Sequence, residues 1–305
     1  MPRSRFVVLL ALACPSATAP LGCGASRHAE SAGSGRDRTL TDSQRSTSTR
    51  PTRRGPSTAP GAPPLDPAAP SLRVLSFNIN YGVATDPRNV AAVAQVNADL
   101  VLLQETTPEA ELTYREAFTA TYPHMLFQDC CGAGGLGVLS KYPIVEQNYL
   151  PPTEGWFPAW RVVLDTPLGH VQALDVHLRP PMSDGGSWVA GFFSTRDVRL
   201  REMKDLFGHL DPQLPTIVAG DFNENAQGQA IGFLSEQGLV SALPQVAPRA
   251  KTWRWQTRAG TLRMMLDHVV YGPQLSLRHA EVIEQGVSDH FPLLVELGPT
   301  ATPGP

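Results

Sequence analysis

What most constrains this chain is where its polar residues fall at the ends of short apolar runs. Leu72-Arg-Val-Leu-Ser-Phe77 ends on Asn78, and Leu100-Val-Leu-Leu103 ends on Gln104-Glu105. Val171-Gln-Ala-Leu-Asp-Val176 ends on His177, and Thr216-Ile-Val-Ala219 ends on Gly220-Asp221-Phe222-Asn223. Short runs rich in apolar and β-branched residues predict buried strands. Two further runs carry their polar residues first: Asp267-His268 before Tyr271, and Ser288-Asp289-His290 before the run from Phe291 to Leu297. If the strands that open on polar residues lie antiparallel to those that end on them, all six groups meet at one edge of a sheet. The pattern therefore predicts one site built from strand ends.

Between these runs the periodicity predicts helices over Asn89–Ala98, Pro108–Thr121, Thr195–Phe207 and Ala230–Gln237. Further strands are predicted at 136–140, 144–150, 161–165 and 278–283. Lys141-Tyr142-Pro143 and Thr166-Pro167-Leu168-Gly169 read as the turns between neighbours. Mostly antiparallel strands with interspersed helices give an α+β layered sandwich. The stretch Lys251 to Trp255 reads as a loop before the Asp267 strand.

The ends of the chain are different in kind. Arg3 and Arg5 precede the apolar run Phe6–Ala13, which reads as an export signal over 1–23. That run is too short to span a bilayer as a mature helix. Ala17-Thr18-Ala19 resembles a peptidase site, while Cys14 and Cys23 resemble lipid-attachment cysteines, so secreted, periplasmic and membrane-anchored forms all stay open. Residues 24–70 form a Ser/Thr/Pro/Gly-rich linker with too little apolar surface to offset its ordering entropy. The domain that carries the six groups runs over 71–298, and 299–305 is a tail.

Charge follows this division. The whole chain has 25 basic and 28 acidic residues, but from Ser71 onward 16 are basic and 24 acidic, a net of −8. An acidic body argues against a broad nucleic-acid footprint. It suits a carboxylate-lined metal site, where a dication offsets local repulsion.

The inventory at the expected edge is Glu105, Asp221, Asp267, Asp289, two asparagines and two or three histidines. Hard oxygen donors suit Mg²⁺, Mn²⁺ or Ca²⁺. Histidine shuttles a proton or donates to a phosphate oxygen. A metal beside such a set polarises a phosphoryl oxygen and acidifies a bound water.

These residues resemble the endonuclease/exonuclease/phosphatase superfamily of deoxyribonuclease I-like proteins. The strings that carry the resemblance are LSFNIN (75–80), LLQET (102–106), DVHL (175–178), AGDFNEN (219–225), LDHVVY (266–271) and GVSDHFPLL (286–294). They run from Leu75 to Leu294 in the matching order, within the predicted strands that begin at Leu72 and end at Leu297. The resemblance implies a four-layer α/β sandwich, with two mainly antiparallel sheets flanked by helices. It implies a Mg²⁺- or Mn²⁺-dependent phosphodiester hydrolase, exported by the reading of residues 1–23, with a nuclease, a sphingomyelinase-like phospholipid phosphodiesterase and a phosphatase as readings. It also implies roles. Glu105 is the main metal ligand, with Asn78 beside it and Asp289 completing the carboxylates. Asp221 orients or deprotonates the attacking water, and Asn223 holds the scissile phosphate. His290 contacts the phosphate and moves a proton, with Asp267 fixing its tautomer. His177 hydrogen-bonds the phosphate. A non-catalytic binding protein is disfavoured, because no member of the set is missing. No protein partner is implied.

Other residues draw plainer expectations. His268 alternates away from Asp267 and belongs to the core or sheet surface. Asp175 shares the face of His177 and reads as structural. Arg161 and Arg196 rank below the central set. Trp253 and Arg254 are substrate-side candidates: with Lys251, Trp255, Arg258 and Arg263 they form a cationic, aromatic group suited to a phosphate backbone with an unpaired base, or to a lipid headgroup. The nucleic-acid reading is favoured slightly, since a row of cations suits a repeating phosphate chain. The loop carrying Trp188 has a substrate-side position. Cys130 and Cys131 are adjacent, so their Cα atoms lie about 3.8 Å apart, below the usual disulfide range of about 4.4–6.8 Å. Two free thiols are the favoured expectation, and a vicinal disulfide the alternative.

Overall fold

Strand alternation decides which side chains face which layer. The computed structural model describes residues 69–182, 191, 194–258 and 260–300. The segment expected to be an export signal, almost all of the segment expected to be a linker, residue 188 with its neighbours 183–190, and residues 301–305 lie outside the described residues. One six-stranded sheet has the order β13 (Leu275–Val282), β14 (Leu293–Pro299), β1 (Leu72–Asn78), β2 (Leu100–Gln104), β4 (Leu136–Ser140) and β3 (His124–Gln128). The other has β5 (Ile144–Leu150), β6 (Ala159–Thr166), β7 (Gly169–His177), β8 (Thr216–Asp221), β12 (Asp267–Tyr271) and β9 (Val240–Ser241). All pairings are antiparallel except β1 with β2 and β7 with β8.

The two sheets pack face to face. Val74, Leu100, Leu102, Val171, Ala173, Ile217, Ala219 and Val269 fill the layer between them. The alternate residues of the same strands face outward. Leu75, Phe77, Val101 and Leu103 pack against helices α1 (Pro87–Val96) and α2 (Pro108–Phe118). Leu174, Val176, Val218 and Val270 pack against α3 (Arg196–Phe207) and α4 (Gln229–Glu236). The result is the expected four-layer sandwich, helix on sheet on sheet on helix. A single turn, α5 (Leu243–Val246), follows β9. Among the described residues no helix is long and apolar enough to cross a membrane.

Helix starts follow capping chemistry. Asp86 accepts from the Arg88 N–H ahead of Pro87, and Thr107 accepts from the Ala110 N–H ahead of Pro108. Each side chain satisfies one orphan donor, and each proline sits where no N–H is needed.

The region read as a loop before Asp267 is instead a hairpin, β10 (Trp253–Thr257) with β11 (Gly260–Met264), forming a small sheet of its own. The cysteines also differ from the favoured expectation, because Cys130 and Cys131 are joined by a disulfide. A following Gly132 at φ +72° lets the chain turn there.

Candidate active site

The alternation that fills the inter-sheet layer also aims the polar residues. Asn78 shares the parity of Leu72 and Val74, His177 that of Val171 and Ala173, Asp221 that of Ile217 and Ala219, and Asp267 that of Val269. All four therefore enter the space between the sheets at one end. Register brings them level. Asp221 lies opposite His177 in the parallel pair and opposite Asp267 in the antiparallel pair. Gly220, at φ +144°, permits this closeness: a Cβ there would sit 1.9 Å from the Val176 carbonyl oxygen.

Two linked hydrogen-bond systems result. In the first, Asn78 Nδ2 donates to Glu105 Oε1 at 2.9 Å and to Asp221 Oδ2 at 3.2 Å. The Tyr81 N–H donates to Glu105 Oε2 at 3.1 Å, and the Asn80 N–H to Asn78 Oδ1 at 3.0 Å. Glu105 has φ +61°, a left-handed conformation that costs a non-glycine residue about 1–3 kcal/mol. Asn80 and Asn223, at φ +55° and +52°, share the region with less penalty. In the second, His290 Nδ1–H donates to Asp267, at 2.9 and 3.0 Å from its two oxygens. His290 Nε2 and His177 Nε2 each lie 3.5 Å from Asp221 Oδ2. His177 Nδ1–H donates to the Ala133 carbonyl at 3.2 Å, and Phe157 stacks on the ring at 4.3 Å.

Burial and neighbouring charges together set the protonation of these groups. Desolvation opposes an imidazolium at His290, but the carboxylates of Asp267 and Asp221 outweigh it and push the ring's pKa up. Desolvation pushes the Asp221 carboxyl up, against the pull of the His290 cation. Glu105 is likewise raised by desolvation, with the Asn78 and Tyr81 donors pulling back. Burial, together with the nearby His290 cation, takes His177 down to about 3, so its ring is neutral. Its Nδ1 carries the proton, because a carbonyl only accepts.

Asp289 and Asn223 complete the group. Asp289 Oδ1 accepts from Asn80 Nδ2 at 2.7 Å and Oδ2 from Trp253 Nε1 at 3.0 Å. Asn223 donates its N–H to Asp221 Oδ1 at 2.8 Å and one Nδ2–H to the Leu178 carbonyl at 3.0 Å. Trp253 stacks on the exposed Trp255, and the Arg254 guanidinium lies 4.3 Å over the Phe291 ring. Arg161 is elsewhere: it is buried among Gln172 and Glu146. Asp175 bonds Gln104 across the two sheets, in keeping with a structural role.

Several supporting residues were given no role from the sequence. Thr252 Oγ1 accepts from the N–H groups of Leu266 and Asp267. Ser288 Oγ donates to the Asn78 carbonyl and accepts from the His290 N–H. Asn89 donates to the carbonyls of Ile79 and Val83 and accepts from the Val287 and Ser288 N–H groups. A buried asparagine on the apolar face of α1 was a readable clue, since such a group needs partners.

His268 faces outward from the inter-sheet layer and is buried against Phe222. Its Nε2–H donates to the Glu224 carbonyl, and its Nδ1 accepts from Ser241 Oγ, both at 3.0 Å. Burial lowers its pKa to about 4 from 6.5. The unfolded chain therefore binds the extra proton first, and the stabilisation present above pH 6.5 is lost as pH falls toward 4. The loss amounts to about 3 kcal/mol. Urea unfolding at pH 7 and pH 4.5 should show a smaller acid loss in His268→Gln than in the parent chain. Equal losses would rule out this ring as a source of acid sensitivity.

Solved structures with this arrangement of layers are known. An endonuclease/exonuclease/phosphatase from Beutenbergia cavernae DSM 12333 superposes with a TM-score of 0.60 at 22% identity, covering 75% of this chain and 72% of that one. TDP2 from D. rerio, complexed with single strand DNA product, gives 0.60 at 16% identity over 75% and 99%. Sphingomyelinase C from Streptomyces griseocarneus gives 0.53 at 18% over 74% and 99%. At these identities the likeness establishes the fold. No curated protein sequence matches the chain. The family description Endonuclease/Exonuclease/phosphatase family matches residues 75–290, and these contain every group of the site. The chain belongs to the Endonuclease/Exonuclease/phosphatase family, whose members hydrolyse phosphoester bonds.

Proposed function

We propose that this protein is an exported phosphodiester hydrolase whose catalytic domain spans 71–298 and whose substrate is a nucleic acid. The observation that carries the hydrolytic reading is the buried His290–Asp267 pair facing Asp221. His290, cationic and held at Nδ1, presents Nε2–H to a phosphoryl oxygen. Asp221 accepts the proton of a water that attacks phosphorus. The new P–O bond forms as the ester P–O bond breaks, and the departing oxygen takes a proton from solvent. Asn223 retains one Nδ2–H for the phosphate. His177 Nε2 faces the same space, as an acceptor while the ring is neutral and as a donor once protonated.

Two places suit a divalent ion. Asp221, Asp267 and His290 offer ligand atoms within 4.8 Å of one another. An ion there would break the bond between His290 and Asp267, so that trio fits a proton-handling role better. Glu105 fits a hard cation. Its carboxylate is largely desolvated, and its hydrogen bonds come only from neutral N–H donors, with the His290 cation acting on it without a direct contact. We therefore assign Mg²⁺ or Mn²⁺ to Glu105, with Asn78 and Asp289 bordering it. Once bound, the ion would neutralise phosphate charge and offset the charge on the departing oxygen. Asn78 Nδ2 is turned toward the two carboxylates, so the asparagine ties Glu105 to Asp221.

The preference for nucleic acid rests on the hairpin. Its strand pairing sets Arg254 opposite Arg263 and Trp255 opposite Leu262. Like charges directly opposite each other are destabilising without an anion between them. Trp255 and Leu262 on the other face are each 51% exposed, next to Trp253, which Asp289 holds. A phosphate chain and an unpaired base suit these two faces. Arg254 also anchors the hairpin on Phe291, so Arg258→Glu with Arg263→Glu is the cleaner test. That pair should weaken single-stranded DNA cleavage and flatten its salt dependence, while a small model diester is hydrolysed as before. Efficient cleavage of sphingomyelin or a phosphoinositide, with DNA untouched at low salt, would replace nucleic acid with a lipid substrate.

A further inference from the structure

The turn between β3 and β4 carries two backbone carbonyls that hold the site. The Ala133 carbonyl accepts from His177 Nδ1–H, and the Gly135 carbonyl accepts from the N–H of Thr106, the residue after Glu105. The fit is close. A Cβ on Gly135 would lie 2.1 Å from the Thr106 carbonyl oxygen, and one on Gly134 would lie 3.0 Å from both Cys131 Sγ and the Phe157 ring. That ring is the one stacked on His177. Cys131 Sγ also lies 3.6 Å from the Trp156 carbonyl oxygen. The Gly134 N–H donates to the Cys130 carbonyl at 3.0 Å and closes the turn. At its head Cys131 has φ +42°, a conformation that a non-glycine residue keeps only where its surroundings impose it. The disulfide is the covalent part of those surroundings. Cys131 is exposed, so a soluble thiol can reach it.

We infer that the Cys130–Cys131 disulfide is a thiol-exchange site that positions His177. Oxidised, it holds the Ala133 carbonyl against Nδ1 and fixes the ring's tautomer. Reduced, it releases Cys131 from its left-handed backbone and withdraws that carbonyl. The effect on rate rests on the proposed hydrolytic reading, whereas the effect on the imidazole does not. Exchange with a dithiol proceeds by two displacements. One thiolate of the dithiol attacks Cys131 Sγ, the S–S bond breaks, and Cys130 Sγ leaves as a thiolate and takes a proton. The second thiolate of the dithiol then displaces Cys131 Sγ, which is protonated in turn. The dithiol ends as a cyclic disulfide, and both cysteines end as thiols.

The test uses the full chain labelled with ¹⁵N in its histidine rings, before and after dithiothreitol. In the oxidised protein His177 should give the Nδ1–H tautomer pattern. On reduction that pattern should shift or average, while His268, held by Ser241 and Glu224, stays unchanged. Hydrolysis of a model phosphodiester should fall at least about tenfold, as expected for a displaced catalytic group, and should return on reoxidation. Cys130→Ser with Cys131→Ser should sit at the reduced level and ignore the reductant. The inference is overturned by a His177 pattern that reduction leaves in place, by His268 moving as well, or by both cysteines alkylating before any reductant is added. If His177 shifts but neither state hydrolyses a phosphodiester, the hydrolytic reading fails and the positioning role stands on the wild-type spectra.

Discussion

Replacing His290 by Ala should lower turnover on a phosphodiester by about 10²-fold or more, the usual cost of losing a general acid or base. The ring is buried at the end of the inter-sheet layer, with Nδ1 held by Asp267 and Nε2 facing Asp221. Asp267 works through the ring by fixing its tautomer and its charge. Asp267→Asn should therefore lose a comparable factor, and the double variant should lose little more than either alone, as residues that act as one unit do. Removing one partner of a buried charged pair also destabilises the fold, by about 3–5 kcal/mol. Each variant must accordingly be shown folded by circular dichroism at the assay temperature. A folded His290→Ala that turns over like the parent would place the reaction away from this pair.

How far the sequence foretold this site depends on which contacts were local. A strand alternates its faces, so a polar residue at its end inherits the direction set by the apolar residues two and four places before it. Asn78 follows Val74, and Asp221 follows Ala219, so both had to enter the inter-sheet layer. The same rule sends His268 to the opposite face from Asp267. The antiparallel condition that joins Asp267 to Asp221 is met in the pairing of β8 with β12.

What stayed hidden depends on contacts between residues distant in sequence. Trp253 to Thr257 mixes aromatic, cationic and amide side chains, so its strand character comes from pairing with β11 and from strapping to the His290 loop. The Arg254 N–H donates to the Asp289 carbonyl, and the Phe291 N–H to the Thr252 carbonyl. Neither bond leaves a trace in side-chain periodicity. The disulfide is similar. Adjacent cysteines argue against a bond on distance alone, and the packing of the turn on Thr106 and Phe157, which fixes the backbone there, lies outside any local window.

Excess chelator should lower hydrolysis by several orders of magnitude, on the order of the several kcal/mol that a dication contributes to transition-state charge stabilisation, and Mg²⁺ or Mn²⁺ should restore it. The residue dependence gives the sharper result. Glu105 leaves β2 in a strained conformation that turns its carboxylate toward Asn78, and that strain has a purpose if a cation is held there. Glu105→Gln should raise the Mn²⁺ concentration needed for half-maximal rate, and calorimetry should show weaker Mn²⁺ binding in the absence of substrate. Asp289 has a different environment, since both of its oxygens already accept from Asn80 and Trp253. Asp289→Asn would then leave Mn²⁺ affinity nearly unchanged but free the Trp253 ring, raising KM for single-stranded DNA more than for a small diester. If both variants lose Mn²⁺ affinity equally, Asp289 is a metal ligand on the same footing as Glu105. If neither variant alters Mn²⁺ binding, and the parent chain keeps its full rate in chelator, the reaction at His290 proceeds without an ion at Glu105.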